Sequence, residues 1–183
     1  MKRIRRKQGR KTGFTLLECM VAMAILSFGI LSLVSVFSQG LTNSFQSQIQ
    51  FIAQQKAREA METIFTARDT KVLSWAQIAN VSQGGVFMDG ARPLCDPGPD
   101  GLYGTADDNC NNPDTVVTGP GPDRIFGTAD DQSFTLNPWM TRTITFTPDS
   151  AVVNLNHITV TVSWIYQGKN GSVSVTSYIS NYS

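Results

Sequence analysis

The sequence is poor in the side chains that most enzymes use for chemistry. It has one histidine, His157, in 183 residues, and no second histidine or cysteine lies at metal-ligand spacing from it. A Gly-rich nucleotide loop and the Gly-x-Ser-x-Gly turn of serine hydrolases are both missing. We therefore expect no enzymatic activity, and we expect His157 to be a structural residue.

Charge is also distributed unevenly. No charged residue occurs between Cys19 and Gln55, and seven of the fifteen basic residues lie in the first eleven positions. Residues 14–183 therefore carry eight basic and fourteen acidic side chains, a formal charge of −6. An acidic chain without a Lys/Arg-rich face gives no sign of nucleic-acid binding. The basic N-terminal cluster is instead typical of a topology signal that stays in the cytoplasm.

A long apolar run follows the basic cluster. Residues 14–40 exceed the roughly 20 mostly apolar residues that cross a bilayer, so we predict a single-pass membrane helix with a cytoplasmic N terminus. Glu18 is the exception within this run. A carboxylate in a membrane helix costs about 2.5 to 3.5 kcal/mol at the helix centre on insertion scales, so it should have a partner.

The junction between the basic cluster and the apolar run reads Gly13-Phe14-Thr15-Leu16-Leu17-Glu18. This string resembles the processing signal of type IV pilins and type II secretion pseudopilins. The resemblance implies that prepilin peptidase removes residues 1–13 as a leader, cleaving between Gly13 and Phe14 and methylating the new amine.

The same resemblance implies how the subunit assembles. Glu18 would face the methylated amine of Phe14 on a neighbouring pilin subunit, and Thr15 would hydrogen-bond the same carboxylate. The protein would sit in the inner membrane, meet the assembly platform there, and then enter a cell-surface or periplasmic pilus or pseudopilus. Residues 53–62 resemble the helix end of PilV-type minor pilins, which favours a minor structural subunit.

A conventional secretory signal is the competing interpretation. Ser38-Gln39-Gly40 has the small-x-small form that signal peptidase accepts, and cleavage there would start the mature protein at Leu41. Against this, the apolar run is longer than the 7 to 15 residues of a typical signal core and carries Glu18 near its start.

Periodicity predicts an α+β, pilin-like fold. Apolar residues recur at spacings of three and four through residues 41–66, which indicates that the membrane helix continues as an amphipathic half packed on a domain. Alternating patterns at 141–147, 158–164 and 173–179 predict a C-terminal antiparallel β-meander within residues 139–183, with a turn at 167–171 containing Asn170-Gly171. Before residue 139, the short segment 85–88 is the one strand candidate. The helix stripe would cover the apolar face of the meander within a head formed by residues 41–183.

Residues 89–132 form an irregular, Asp/Gly-rich loop insertion. Twelve residues repeat at a separation of 23, as Pro-Gly-Pro-Asp-Gly-Leu-Tyr-Gly-Thr-Ala-Asp-Asp at 97–108 and Pro-Gly-Pro-Asp-Arg-Ile-Phe-Gly-Thr-Ala-Asp-Asp at 120–131. The copies resemble the calcium loops of secreted bacterial proteins, and oxygen-rich turns suit Ca²⁺. The three alternatives are two sites of which the second is weak, one ion shared by both copies, and a solvated acidic loop without a metal ion. The predicted ligands are Asp96, Asp100, Asp107, Asp108, Asp123, Asp130 and Asp131.

Two cysteines bracket the first copy. Cys95 and Cys110 would form a disulfide in an oxidising exterior, and closing a loop near 15 residues is worth about 3 kcal/mol. Cys19 is interpreted as a small packing residue in the membrane helix. The alternative function is a membrane-anchored or secreted calcium-binding adhesion domain that is not part of a filament.

Overall fold

The computed structural model describes residues 13, 15–136, 139–166 and 168–181. The chain divides into two compact units, Met1–Gln46 and Ser47–Ser183. One helix, α1 (Leu16–Asp69), provides the helical part of the first unit and then opens the second. A long N-terminal helix and a C-terminal antiparallel sheet confirm the predicted α+β, pilin-like arrangement.

The second unit buries one stripe of α1. Apolar and small residues at spacings of three and four face the core, as expected for an amphipathic helix. Leu41 and Phe45, which we predicted in the same stripe, belong to the first unit and are exposed. The stripe therefore begins only where the second unit begins. Its buried members are Ile49, Ala53, Ala57, Ala60, Met61, Ile64 and Ala67.

A four-stranded antiparallel sheet packs on this stripe. Its order is β1 (Arg92–Pro93), β6 (Met140–Pro148), β7 (Leu155–Tyr166), β8 (Lys169–Ser180). The three predicted meander strands are confirmed, and each is longer than its pattern predicted. Alternate residues point inward because successive side chains of a strand lie on opposite faces. The inward residues join the helix stripe in one core: Met140, Ile144, Phe146, Ile158, Val160, Val162 and Ile179.

The last turn differs from the prediction at 167–171. The final residue of β7 pairs with the first residue of β8, so a two-residue connection joins them, and Gly168 supplies its positive φ of 74°. Asn170 and Gly171 lie inside β8. Gly171 is needed there for another reason, because a Cβ at this position would collide with the Trp164 indole opposite. Residue 167 lies outside the described residues.

The segment between helix and meander is more ordered than predicted. Two short 3-10 helices, Trp75–Gln77 and Val81–Gln83, follow α1. The candidate strand at 85–88 was wrong, since only Phe87 forms an isolated bridge with Asn80 there. Residues 89–132 carry short strands among their turns. These pair as two hairpins: β2 (Cys95–Asp96) with β3 (Asn109–Pro113), and β4 (Thr115–Gly119) with β5 (Gln132–Thr135).

His157 takes a structural position in the sheet. Its Nε2 lies 2.8 Å from Oδ2 of Asp149, and its ring packs edge-on against Tyr178. The histidine, followed by the backbone N–H groups of Ala151 and Val152, lowers the pKa of Asp149 to about 2. These bonds fix the turn that leads from β6 into β7.

Candidate functional site

The first candidate site is the start of α1. Thr15 caps the helix: the backbone N–H of Glu18 donates to the Thr15 hydroxyl at 3.3 Å and to the Thr15 carbonyl at 3.1 Å. Thr-x-x-Glu is the sequence of a capping box, and the bond to the Thr15 hydroxyl is one of its two bonds, so this local sequence favours a helix start here. The bond predicted between the Thr15 hydroxyl and the Glu18 carboxylate in the assembled filament stays a prediction. Gly13 is exposed, and Phe14 lies outside the described residues.

The Glu18 carboxylate sits in the first turn of the helix. Within the described part of the chain it has no side-chain partner. The helix N-terminus carries partial positive charge, which favours a carboxylate at this position. The geometry leaves the carboxylate exposed and available to a group from outside the unit.

The rest of the first unit presents apolar side chains on all sides of α1. Its large hydrophobic residues are mostly half to four-fifths exposed, and the helix is long and apolar enough to cross a membrane. Two of its hydroxyls are bonded within the helix: Ser27 donates to the Met23 carbonyl at 2.8 Å and Ser32 to the Phe28 carbonyl at 2.9 Å. Hydroxyls bonded inside the helix need no water, which suits an apolar environment.

Residues 8–34 match the family described as the prokaryotic N-terminal methylation motif. This match covers the end of the basic stretch, the Gly13-Phe14 junction, Glu18 and the apolar run as far as residue 34. The N-terminal segment is therefore similar to that of type IV pilin-like prepilins. No curated protein and no solved structure matches the chain at a significant level.

The second candidate site is the pair of aspartate loops. Loop 1 comprises residues 97–108. Asp100 accepts the N–H of Leu102 at 2.8 Å, Asp108 accepts that of Gly104 at 2.8 Å, and the Thr105 hydroxyl donates to Asp107 at 2.7 Å. Each carboxylate thus closes a turn of its own loop, as Asp side chains often do.

Loop 2, residues 120–131, repeats this geometry 23 positions later. Asp123 accepts the N–H of Ile125 at 2.8 Å, and Asp131 accepts that of Gly127 at 2.7 Å. The hydroxyl of the loop's threonine donates to Asp130 at 2.7 Å. The two loops are therefore structurally equivalent.

Glycines allow the close approach inside each loop. A Cβ at Gly98 would collide with the backbone and carboxylate of Asp107, and a Cβ at Gly121 would collide with Asp130 in the same way. Loop 1 uses Gly101 at φ 69°, while loop 2 places Arg124 at φ 59° in the equivalent left-handed position. A left-handed arginine is unusual, because its Cβ is crowded there.

The predicted calcium ligands lie in the two loops, except for Asp96, which accepts a hydrogen bond from Asn112 at 2.6 Å. Among the described residues, no group of three or more His, Cys, Asp or Glu side chains is placed to hold a metal ion. The carboxylates are engaged with their own backbone and threonine partners. Calcium binding therefore stays a prediction.

The predicted disulfide is present between Cys95 and Cys110, with the two Cα atoms 4.7 Å apart. It joins β2 to β3 at the base of loop 1. Loop 2 has no equivalent bridge, because Cys19 is the one remaining cysteine of the sequence and lies in α1.

A charged network around loop 1 was missed by the sequence analysis. Lys56 on α1 contacts Asp114 at 2.8 Å and Glu59 at 2.9 Å, and the Tyr103 hydroxyl donates to Glu59 at 2.7 Å. The Arg142 guanidinium, only 3% exposed, lies 4.3 Å from the centre of the Tyr103 ring. Lys56 and Glu59 lie three residues apart on α1, but Tyr103, Asp114 and Arg142 come from distant segments, so helix spacing alone gave no signal for the network.

This network shifts several pKa values. Burial alone would raise the pKa of Glu59, but the Tyr103 hydroxyl and the Lys56 ammonium lower it on balance. Burial would likewise lower the pKa of Lys56, yet Asp114 and Glu59 raise it on balance. Burial and the bond to Glu59 raise the pKa of Tyr103. Lys56 therefore stays paired with Glu59 and Asp114 at neutral pH.

Proposed function

We propose that this chain is a structural subunit of a type IV pilus or a related pseudopilus. The observation that carries the proposal is the methylation motif at residues 8–34, together with an exposed Glu18 in the first turn of a long apolar helix. In this function the first unit anchors the subunit in the inner membrane before assembly, and the second unit forms the exported head.

Charge pairing supplies the mechanism of assembly. Cleavage after Gly13 would free an amine on Phe14, and the Glu18 carboxylate of a neighbouring subunit would pair with it. A buried ion pair adds little net stability, but an unpaired charge in an apolar surrounding is costly. The ion pair would therefore fix the position of each subunit along the filament axis, because each amine must lie next to the carboxylate of a neighbouring subunit. The subunit's partners would be prepilin peptidase, the assembly platform and other pilins.

A minor rather than a major subunit is the finer part of the proposal. It rests on the resemblance of residues 53–62 to the helix end of PilV-type minor pilins. Lys56 and Glu59 of this stretch hold loop 1 on the helix, so the stretch has a structural use in this chain as well. Quantifying this chain against co-purified pilins in sheared filaments would test it, and an equal or greater amount would exclude a minor role.

The mature N terminus is the first experiment. Mass spectrometry of the protein from its native membrane should find a chain that begins at Phe14 with a methylated amine. A chain that begins at Leu41 would instead support a secretory signal, and an intact residue 1–13 leader would remove the proposal.

Glu18→Ala is the second experiment. The variant should still be processed but should be lost from sheared filaments, because the neighbouring amine then lacks its partner. Glu62→Ala, an exposed glutamate on the same helix, is the matched control and should assemble normally. Equal incorporation of both variants would contradict the role given to Glu18.

The calcium-binding adhesion domain is the second candidate function. Two loops with the same hydrogen-bonded geometry and three aspartates each favour it over a random acidic segment. Ca²⁺ should then raise the Tm of the detergent-solubilised protein, and Asp107→Asn with Asp130→Asn should abolish the rise. Asp69→Asn is the control. No rise with Ca²⁺, or the same rise with Mg²⁺, would count against a calcium site.

A further inference from the structure

An open cleft lies at the end of the main sheet where β7 meets β8. Its volume is about 460 Å³, within the range of small-molecule sites. Strands β6, β7 and β8 build it from residues that pair across the sheet: Thr141 opposite Ser163, and Ser163 opposite Ser172. The cleft is therefore part of the sheet framework. Its lining is Trp139, Thr141, Ser163, Trp164, Ile165, Asn170, Gly171 and Ser172.

One tryptophan of the lining is fixed in place beside the outward-facing hydroxyls. The Trp139 indole N–H donates to the Thr135 carbonyl at 3.0 Å, and its ring stacks on Phe134 at 5.7 Å with an interplanar angle of 19°. Trp164 follows Val162 on the core face of β7, where its indole covers Gly171, so of the two rings that of Trp139 is the one offered to a ligand. An aromatic ring held in this way loses little conformational entropy when it binds a ligand.

The polar lining of the cleft is neutral. None of the described residues that line it is charged, and its polar groups are three hydroxyls and the Asn170 side-chain amide. Hydroxyls and amides both donate and accept hydrogen bonds. A charged ligand would meet no counter-ion among these residues, so the lining favours an uncharged ligand with many donors and acceptors.

The neutral lining continues along the outward face of the sheet. The strand register places two further rows of hydroxyl side chains beside the cleft, and cross-strand bonds link Thr161 with Ser174 at 2.8 Å and Thr159 with Thr176 at 3.2 Å. Solvent-facing strands usually mix in charged residues. The rows are Thr143, Thr161 and Ser174, and Thr145, Thr159 and Thr176.

We propose that this cleft binds a neutral saccharide. The C–H groups on one face of a sugar ring carry partial positive charge and pack well against the negative face of an indole. The ring hydroxyls would bond to Ser163, Ser172 and Asn170. The site would give the head a binding activity that does not depend on assembly into a filament.

The experiment uses the full chain in a detergent without a sugar headgroup, lauryldimethylamine oxide. Neutral maltohexaose, cellohexaose and laminarihexaose are the probes, and hexagalacturonate is the acidic comparison, each up to about 5 mM, where even a complex with Kd near 1 mM is mostly formed. Indole N–H signals are followed by NMR. At least one neutral probe should shift the signal of Trp139, while Trp75, outside the lining, should not move.

Matched serine-to-glutamate variants separate the cleft from the general surface. Ser172→Glu should weaken the binding at least about tenfold, because a carboxylate in the cleft would lose water without gaining a counter-ion. Ser150→Glu, in an exposed turn between β6 and β7, should bind as the unmodified chain does. The proposal is overturned if no neutral probe shifts the Trp139 signal, if Trp75 shifts equally, if only the acidic probe binds, or if Ser172→Glu binds unchanged.

Discussion

Loop 1 and loop 2 share one sequence pattern and one hydrogen-bond geometry, yet they have different surroundings. Leu102 and Tyr103 of loop 1 are 4% and 8% exposed, whereas their equivalents Ile125 and Phe126 of loop 2 are 60% and 66% exposed. The internal bonds of the loop therefore do not depend on burial. The repeat folds locally, and other parts of the chain decide whether a copy is packed into the core.

The deciding groups lie outside the repeat. Glu59 on α1 accepts the hydroxyl of Tyr103, and the Arg142 guanidinium covers the other part of its ring. Phe126 has no hydroxyl for such a bond. The bond to Glu59 is therefore one contact with the core that loop 1 makes and loop 2 cannot make.

The largest difference in stability between the two loops should come from removing the aromatic ring of each loop. Tyr103→Ala should cost about 3 to 5 kcal/mol of unfolding free energy, since it empties a buried site. Phe126→Ala should change it by less than about 0.5 kcal/mol, because the ring is exposed. Denaturant unfolding of the full chain in detergent, followed by circular dichroism, measures both. Similar losses would mean that loop 2 also contributes to the core.

Glycine substitutions should give the next largest contrast. Gly98→Ala should cost about 1 to 3 kcal/mol, because the added methyl collides with Asp107 in a loop that is packed against the core. Gly121→Ala makes the same collision with Asp130 in the exposed loop. It should leave the unfolding free energy nearly unchanged and speed hydrogen exchange at the Ile125 amide. If hydrogen exchange at that amide is as slow in the variant as in the unmodified chain, a small movement of the loop is enough to relieve the collision.

Substitutions at the left-handed backbone position, Gly101 in loop 1 and Arg124 in loop 2, should have smaller effects on stability. The effect should be destabilising in loop 1 and stabilising in loop 2. Gly101→Ala should destabilise by about 1 to 2 kcal/mol, because a Cβ is disfavoured at its φ of 69°. Arg124→Gly removes the same strain from loop 2 and should slow hydrogen exchange of the residue-124 amide, which donates to the Gly121 carbonyl. Faster exchange in this variant would show that the arginine side chain helps to hold the loop.

The smallest effect should be the pH dependence of the loop 1 network. The pKa of Glu59 is lowered in the folded protein, so its contribution is present above the unfolded value of 4.5 and is lost as the pH falls through the folded value. Glu59→Gln should therefore reduce the fall in Tm between about pH 6 and about pH 3. Glu62→Gln is the control. An unchanged pH profile in the Glu59 variant would exclude this linkage.

The helix and the strands of the meander were predictable from the sequence because in each of them apolar residues recur at a constant spacing. The three- and four-residue spacing of α1 and the alternation in β6, β7 and β8 reflect which face is buried, so the sequence carries the information locally. The disulfide between Cys95 and Cys110 followed from cysteine number and compartment. The turn at 167–171 was misplaced because Gly168 and Gly171 are both turn-like, and only the position of Trp164 shows which of them must lie in the strand.

The loop 1 network was not predictable because its members are far apart in the chain. Lys56 and Asp114 are separated by 58 residues and meet only in the folded unit. The repeat itself was evident from the sequence, and so were its aspartates. The different burial of Tyr103 and Phe126 was not, since the repeat gives both the same local pattern and only tertiary packing separates them.

The hydroxyls of α1 that are hydrogen-bonded within the helix affect how easily the helix could move from lipid into a protein-lined environment. Ser27, Ser32 and Thr42 each donate to a carbonyl one turn earlier, so these donors travel with the helix. Leaving lipid for a protein-lined environment would require none of these bonds to break and reform. For these three hydroxyls the two environments are therefore interchangeable, whereas the Glu18 carboxylate, which has no such bond inside the helix, would gain from a cationic partner.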